Sequence, residues 1–436
     1  MSSSVYSDPG FNLASMLAMG EEERREVMHG AFERARDANP LLNAFITLLD
    51  EPRACSGPFA YIPYAVKDIV DTEGIRTTAG SRVLADNVPG EDAQVVRKLK
   101  SLGAAMVGKT NTHEFAFGPT NVNPWYGPAR NPHDTERISG GSSGGSAVAV
   151  ASGMSVFAIG TDTGGSVRIP AALCGVVGYK PTIGYINTGG VIPLSYSLDH
   201  VGFLTRSVQD AQILLDALLD TEGAALRLFP PDRRYTPGVE GCTLGVLEDY
   251  VEASDSHVRR AFERAVEALR ASGATVRGVR LPHVDTQGLY GRIRGAEAAH
   301  FHSRYRDRSG MYSGEILAKL APGMEERATE YVGAQMERIV LARQVDRLMD
   351  GIDAFISPTV PVEAPRIGEA GMEVHSRLNA FTHIFNLTGQ PALSIPIGNG
   401  GGLPVGLQVA GRRGGDIPLL SLGISMEGAV MGKNER

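Results

Sequence analysis

Residues 137–180 read RISGGSSGGSAVAVASGMSVFAIGTDTGGSVRIPAALCGVVGYK, and the fold turns on how this stretch is read. It holds two glycine-serine clusters, Gly140 to Ser146 and Thr161 to Ser166, with a small and apolar run from Ala147 to Ile159 between them. A flexible linker would be flanked by polar, solvated residues. These clusters sit instead among residues suited to burial. Glycine inside a core lets the backbone take a positive φ or come very close to another group. One cluster before a helix and one after it describe two loops converging on a single site.

Outward from there, the chain alternates helix and strand signals. Residues 20–38 are charged with sparse apolar positions and predict a peripheral helix, ended by Asn39-Pro40. Leu42 to Leu49 reads as a first strand, and Tyr61 to Val70 (YIPYAVKDIV) as an apolar strand with one lysine, Lys67, in its middle. Ala93 to Leu102 is an amphipathic helix closed by Gly103 and followed by strand Ala104 to Val107; the pattern returns over Val258 to Val276 with Gly273. Residues 220–250 and 280–350 read as charged helices, GAQMERIVLARQVDRLM being the clearest. Strands resume at Ala354–Ser357, Ala392–Ile397 and Val405–Ala410, the last two flanking the hairpin signal GNGGGLP. Repeated helix–Gly–strand units predict an α/β fold, a mixed central sheet with helices on both faces. No clean domain boundary interrupts the chain. The expected organisation is therefore one domain over 1–436, with a catalytic core at 50–210, a divergent region at 211–350 and returning strands at 351–436.

Composition narrows the function. With 436 residues, 42% hydrophobic and 21% charged, the chain can bury a large core, while 53 glycines and 25 prolines suit a loop-rich enzyme. A net charge of −7 gives a nucleic-acid partner little support. The three cysteines, Cys55, Cys174 and Cys242, are far apart and odd in number, which argues against zinc spacing or a disulfide framework and for a reducing cytoplasm. No signal peptide or membrane-spanning run is read, and no metal or cofactor is called for.

A phosphate loop does not account for the two clusters, since neither contains G-x-x-x-x-G-K-[ST]. Gly141-Ser142-Ser143-Gly144-Gly145 does match G-x-S-x-G, but a nucleophile elbow follows a buried strand, and NPHDTERIS before it is polar and broken by proline. The third reading is a serine nucleophile whose base is a lysine. None of the ten histidines stands in a comparable context, whereas Lys67 lies within an apolar strand. Burial there disfavours the ammonium and lowers its pKa towards a usable base. The plainer reading of Lys67 alone is a strand-end lysine paired with Asp68.

Lys67-Asp68, GGSSGGS and GTDTGGSVRIPAALCGVVGYKPT together resemble the amidase signature family of serine hydrolases. The resemblance runs from about Asn43 to Arg206 and resumes at FNLTGQPALSIPIG and GLPVGLQVAG, leaving a divergent middle. It implies a Ser–Ser–Lys triad. Ser166 would be the nucleophile that carries the acyl group, Ser142 the bridging serine after a cis bond from Gly141, and Lys67 the base. The backbone N–H groups of Thr163, Gly164, Gly165 and Ser166 would form the oxyanion hole. Asp162 and Arg168 would hold the glycine loop, and Cys174 would be a small core residue.

The family includes free-standing amidases, carbamate and urea-type hydrolases, and the glutaminase subunit of tRNA-dependent amidotransferases. The expected function is a free-standing amidase acting on linear amides, with carbamates, urethanes and esters as further substrates. The glutaminase (A) component of an amidotransferase is the second reading: ERISGGSSGGSAVAVASG matches it closely, but NPWYG and Asn379, where such proteins carry an aspartate, do not. A catalytically dead binding protein is the third. Phe117, Trp125 and Tyr126 are candidate pocket walls, although core packing explains them as simply. Arg130 is the only arginine between His113 and Arg137, so no guanidinium fork for an anionic substrate is visible, and a neutral amide or ester is expected. The partner is thus a small molecule, with a homodimer left open.

Overall fold

Alternating strand and helix signals become one sheet because each amphipathic helix finds a strand face to cover. The computed structural model describes residues 12–53, 56–232 and 238–431. Its strands are β1 (Phe45–Arg53), β2 (Pro63–Lys67), β3 (Ala105–Thr110), β4 (Arg130–Asn131), β5 (Asp134–Ile138), β6 (Phe157–Asp162) and β7 (Val177–Lys180). They continue as β8 (His200–Thr205), β9 (Thr243–Leu247), β10 (Thr275–Val279), β11 (Ala354–Pro358), β12 (Ala392–Asn399) and β13 (Pro404–Ala410). Eleven of these form one sheet in the order β1-β3-β2-β6-β8-β7-β12-β13-β11-β9-β10, and β4 and β5 make a separate ribbon. The sheet is mixed: β2 runs parallel to β3 and β6, and β9 to β10 and β11, while β6/β8, β7/β8 and β12/β13 are antiparallel.

Both faces are covered. Helix Gly144–Ala151 contributes Ala147, Val148, Ala149 and Val150 to a core with Ala65 of β2 and Ala158 of β6. On the opposite face, Tyr64, Val66, Phe157 and Ile159 pack with helices Gln94–Ser101 and Val208–Leu218. Helix Ser256–Ala271 buries Val258, Phe262, Val266 and Leu269, each contributing about 1.5–3 kcal/mol. It is closed by Gly273 at φ +93, as helix Gln94–Ser101 is by Gly103 at φ +91.

Four sequence expectations shift. The first helix runs from Glu21 to Leu42, through Asn39-Pro40 rather than ending there. Pro40 lies in the final turn, so the one intrahelical bond it forgoes, to Arg36 O, is lost near the helix end rather than in its middle. Asn43 then closes the helix at φ +52, its N–H donating to Asn39 O. The first strand accordingly begins at Phe45, not Leu42. The strand expected over Tyr61–Val70 spans only Pro63–Lys67, which puts Lys67 at its carboxyl end, where open α/β sheets place their sites. Residues 220–250, read as helical, contain β9. Paired in parallel with β10 and β11, β9 is a short strand held by its neighbours more than by local pattern. Cys174 and Cys242 are free and buried, and Cys55 lies outside the described residues.

Candidate active site

Lys67 is completely buried and ends β2 facing the N-terminus of helix Gly144–Ala151. Its Nζ donates to Ser142 Oγ at 2.6 Å and to Thr161 Oγ1 at 2.8 Å. Both acceptors are hydroxyls. Burial therefore pushes the ammonium down to about 7, while the charges of Asp199 and Asp162 pull the other way. An amine poised there can give up its proton near neutral pH.

The two glycine-serine clusters close over this lysine, in keeping with their position around one helix. The Gly141–Ser142 peptide is cis. A Cβ at Gly145 would stand 2.3 Å from Ala44 O and 2.5 Å from Asn111 N, so only glycine lets helix Gly144–Ala151 start against these backbones. Ser143 N–H donates to Ser166 O at 3.1 Å, which ties the first cluster to the second. Ser142 is wholly buried, whereas Ser166 keeps 8% of its surface exposed. Of the two serines, Ser166 is the one an incoming molecule can reach.

The second cluster is pinned from below. Burial works against the charge of Asp162, yet the Arg168 guanidinium, 2.9 Å away and itself fully buried, holds that carboxyl well below the usual range. Asp162 then accepts the N–H groups of Gly165 at 2.8 Å and Val167 at 3.2 Å. Arg168 extends the clamp to Thr382 O, Gln408 and Asn386. This is the structural role read for Asp162 and Arg168. Of the four N–H groups expected to face an oxyanion, that of Gly165 donates to Asp162. Gly165 itself takes φ +127, and a Cβ there would meet Thr382 Oγ1 at 2.1 Å.

Several participants had no signal in the sequence. Thr161 is the second acceptor for Lys67. Asp199, pushed up to about 6 by burial, accepts from Thr163 Oγ1 at 2.6 Å and so steadies the glycine loop. Tyr290, from helix Thr286–His302, lies against the loop so closely that a Cβ on Gly164 would be 2.3 Å from its Oη. The nearest available clue was the small-residue helix face around Gly291 and Gly295, which says nothing of direction.

The three candidate wall aromatics part company. Phe117 is buried, with the Arg294 guanidinium 4.6 Å from its ring centroid and Lys319 Nζ 5.7 Å away. Trp125 instead donates Nε1–H to Glu114 at 2.9 Å and carries Arg82 over its ring at 4.2 Å. Tyr126 O accepts from Asn43 Nδ2. Cys174 is a core residue, its thiol pushed up by burial. Among the described residues no three metal-ligating side chains cluster, and no helix is long and apolar enough to cross a membrane.

Gly103 to Thr110, GAAMVGKT, spells the phosphate-loop pattern outside the two clusters. In the fold it is strand β3 rather than a strand-to-helix loop, and Lys109 is buried on Val70 O and 3.5 Å from Asp68. With its amine so engaged, the segment is part of the sheet and not a phosphate cradle.

The fold and the paired clusters define a class, an α/β enzyme with the two glycine-serine loops of the amidase signature. The family model described as Amidase matches residues 27–420, and the chain belongs to that family. Among its relatives, the glutamyl-tRNA(Gln) amidotransferase component of type A from Moorella thermoacetica is 36% identical over 97% of this chain and 96% of the relative. The solved structure of the corresponding protein from Thermotoga maritima superposes with a TM-score of 0.85 at 35% identity, covering 98% of this chain and 96% of that one. A 6-aminohexanoate cyclic dimer hydrolase with its substrate is 30% identical, TM-score 0.87, with 98% of each chain covered.

Proposed function

We propose that this chain cleaves an amide C–N bond by acyl transfer through Ser166. Neutral Lys67 takes the proton of Ser142, and Ser142 takes that of Ser166, whose Oγ attacks the carbonyl carbon. The resulting oxyanion lies towards the N–H groups of Thr163, Gly164 and Ser166, where one donor can matter by about 2.7–4 kcal/mol. Collapse expels the amine, protonated by the returning proton, and water then releases the acid from Ser166 by the same relay. The observation that carries this reading is the 2.6 Å hydrogen bond between a wholly buried lysine and Ser142, beneath a glycine loop whose serine is accessible.

The names of the relatives favour the reading the sequence placed second. In it, the amide is that of glutamine and the chain is one component of a larger assembly. That reading now stands ahead on substrate and partner. A free-standing amidase, acting also on carbamates, urethanes or esters, is supported by Asn379: it ends helix Met372–Asn379, its O accepts from Thr382 and His383, and its neutral side chain offers no charge to a substrate ammonium. A fluorophosphonate should add to the peptide containing Ser166, and Ser166→Ala should abolish both label and turnover. An unlabelled Ser166 in folded protein would overturn the mechanism. Glutamine against propionamide and an aryl carbamate, assayed on the same preparation, ranks the two substrate readings.

A further inference from the structure

Helix Thr286–His302 brings a cation to the glycine loop that nothing in the relay uses. Arg294 stands one turn after Tyr290, and its guanidinium lies 4.8 Å from the Tyr290 ring centroid and 4.6 Å from that of Phe117. Tyr290 in turn touches Gly164 of the loop that carries Ser166. With both rings this near, cation–π attraction holds the guanidinium beside the loop.

Among the described residues no carboxylate lies within 4.0 Å of Arg294, and its Nε is buried without a hydrogen-bond partner. The neighbours do not supply a counter-charge. Glu315 is committed to His113, at 3.1 Å, and to Lys319. Lys319 is further held by Phe117 O at 2.7 Å. Burial pushes His113, His375 and His383 down, so these rings are uncharged at neutral pH. One half-buried positive charge is thus left over beside the loop, and a buried charge without a partner is unfavourable unless a ligand neutralises it.

We infer that Arg294, with Tyr290 Oη beside it, binds a carboxylate on the substrate, so that the amide cleaved at Ser166 belongs to a small acid amide. This rests on the acyl-transfer reading above for the bond cleaved. The arginine fork sought between His113 and Arg137 is absent there, for Arg130 is taken up by Thr135 O at 2.7 Å. The fold supplies it from far along the chain. A guanidinium suits a carboxylate because two parallel N–H···O bonds match its planar oxygens, whereas a neutral amide end leaves the charge unanswered.

The test pairs malonamate, succinamate and glutaramate with the uncharged alkyl amides of equal length. The anionic member of at least one pair should be preferred. In Arg294→Gln its KM should rise about 10- to 100-fold with a smaller change in kcat, the span expected for hydrogen bonds to a charged group. Arg294→Lys should recover part of the loss, and Arg294→Glu should shift preference to β-alaninamide, whose end is an ammonium. Equal use of neutral and anionic members, or an unchanged ratio in Arg294→Gln, overturns the inference. Succinate binding to Ser166→Ala, by titration calorimetry with and without Arg294→Gln, needs no turnover. Succinate bound only when Arg294 is present supports the subsite even if Ser166 proves inert; equal or absent binding in both overturns it. Thermal melts of each variant separate a lost contact from a lost fold.

Discussion

Two regions of this sheet bury a lysine to the same extent and put it to opposite uses. Lys67 on β2 and Lys109 on β3 are both wholly inaccessible. Across the parallel ladder Lys109 pairs with Val66, not with Lys67, so the two amines leave the sheet on opposite faces. Lys109 meets a carboxylate, Asp68, at 3.5 Å, together with Val70 O and Thr77. Lys67 donates to hydroxyls, and the acids whose charges act on it, Asp199 and Asp162, are committed to Thr163 and to Arg168. Burial lowers both amines. The difference lies in who receives the proton: an ion pair has no use for a labile proton, whereas a lysine hydrogen-bonded to a serine can pass one on.

The comparison breaks first at Lys67. Lys67→Ala should lower kcat by about 10²–10⁴-fold, the usual range for a positioned base. In the wild type, Lys67 is protonated and idle below its folded pKa, so turnover should climb with pH through about 7 and level off above it. That limb should vanish in Lys67→Ala; a pH–rate profile that keeps it would reassign the base. Ser142→Ala should cost less, towards about 10²-fold, because a water can stand in for a bridging hydroxyl. A loss equal to that of Ser166→Ala would make Ser142 more than a bridge. Lys109→Ala is the sharpest control. It strands Asp68 in the core, and a broken buried pair typically destabilises by about 3–5 kcal/mol, so the apparent melting midpoint should drop while the pH limb near 7 persists in the folded fraction. If the limb moves instead, the two lysines are not separate in function.

Much of the candidate site was legible because its information is local. Glycine clusters around a small apolar helix constrain the backbone at each residue: Gly145 must clear Ala44 and Asn111, and Gly165 must take a positive φ. A lysine among apolar residues announces its own desolvation. Helix–Gly–strand units state where a helix stops, and both closing glycines adopt the conformation the pattern asks for.

The chain in one dimension also misled where neighbours overrule propensity. Pro40 did not stop its helix because it fell in the last turn. Residues 220–250 read as helical, yet parallel pairing with β10 and β11 makes Thr243–Leu247 a strand. Trp125 donates to Glu114 and lies under Arg82, contacts that no local pattern announced.

The sequence by itself thus determined the family, the sheet with its covering helices, and the lysine and two serines proposed for the chemistry, since backbone constraint and burial are written residue by residue. Only the tertiary structure decided which N–H of the glycine loop is already engaged, that Asp199 steadies Thr163, and that Tyr290 and Arg294 reach Gly164 and Phe117. The last of these depends on the direction of helix Thr286–His302 against the loop. That direction is set by packing between segments more than a hundred residues apart, for which no local pattern carries a signal.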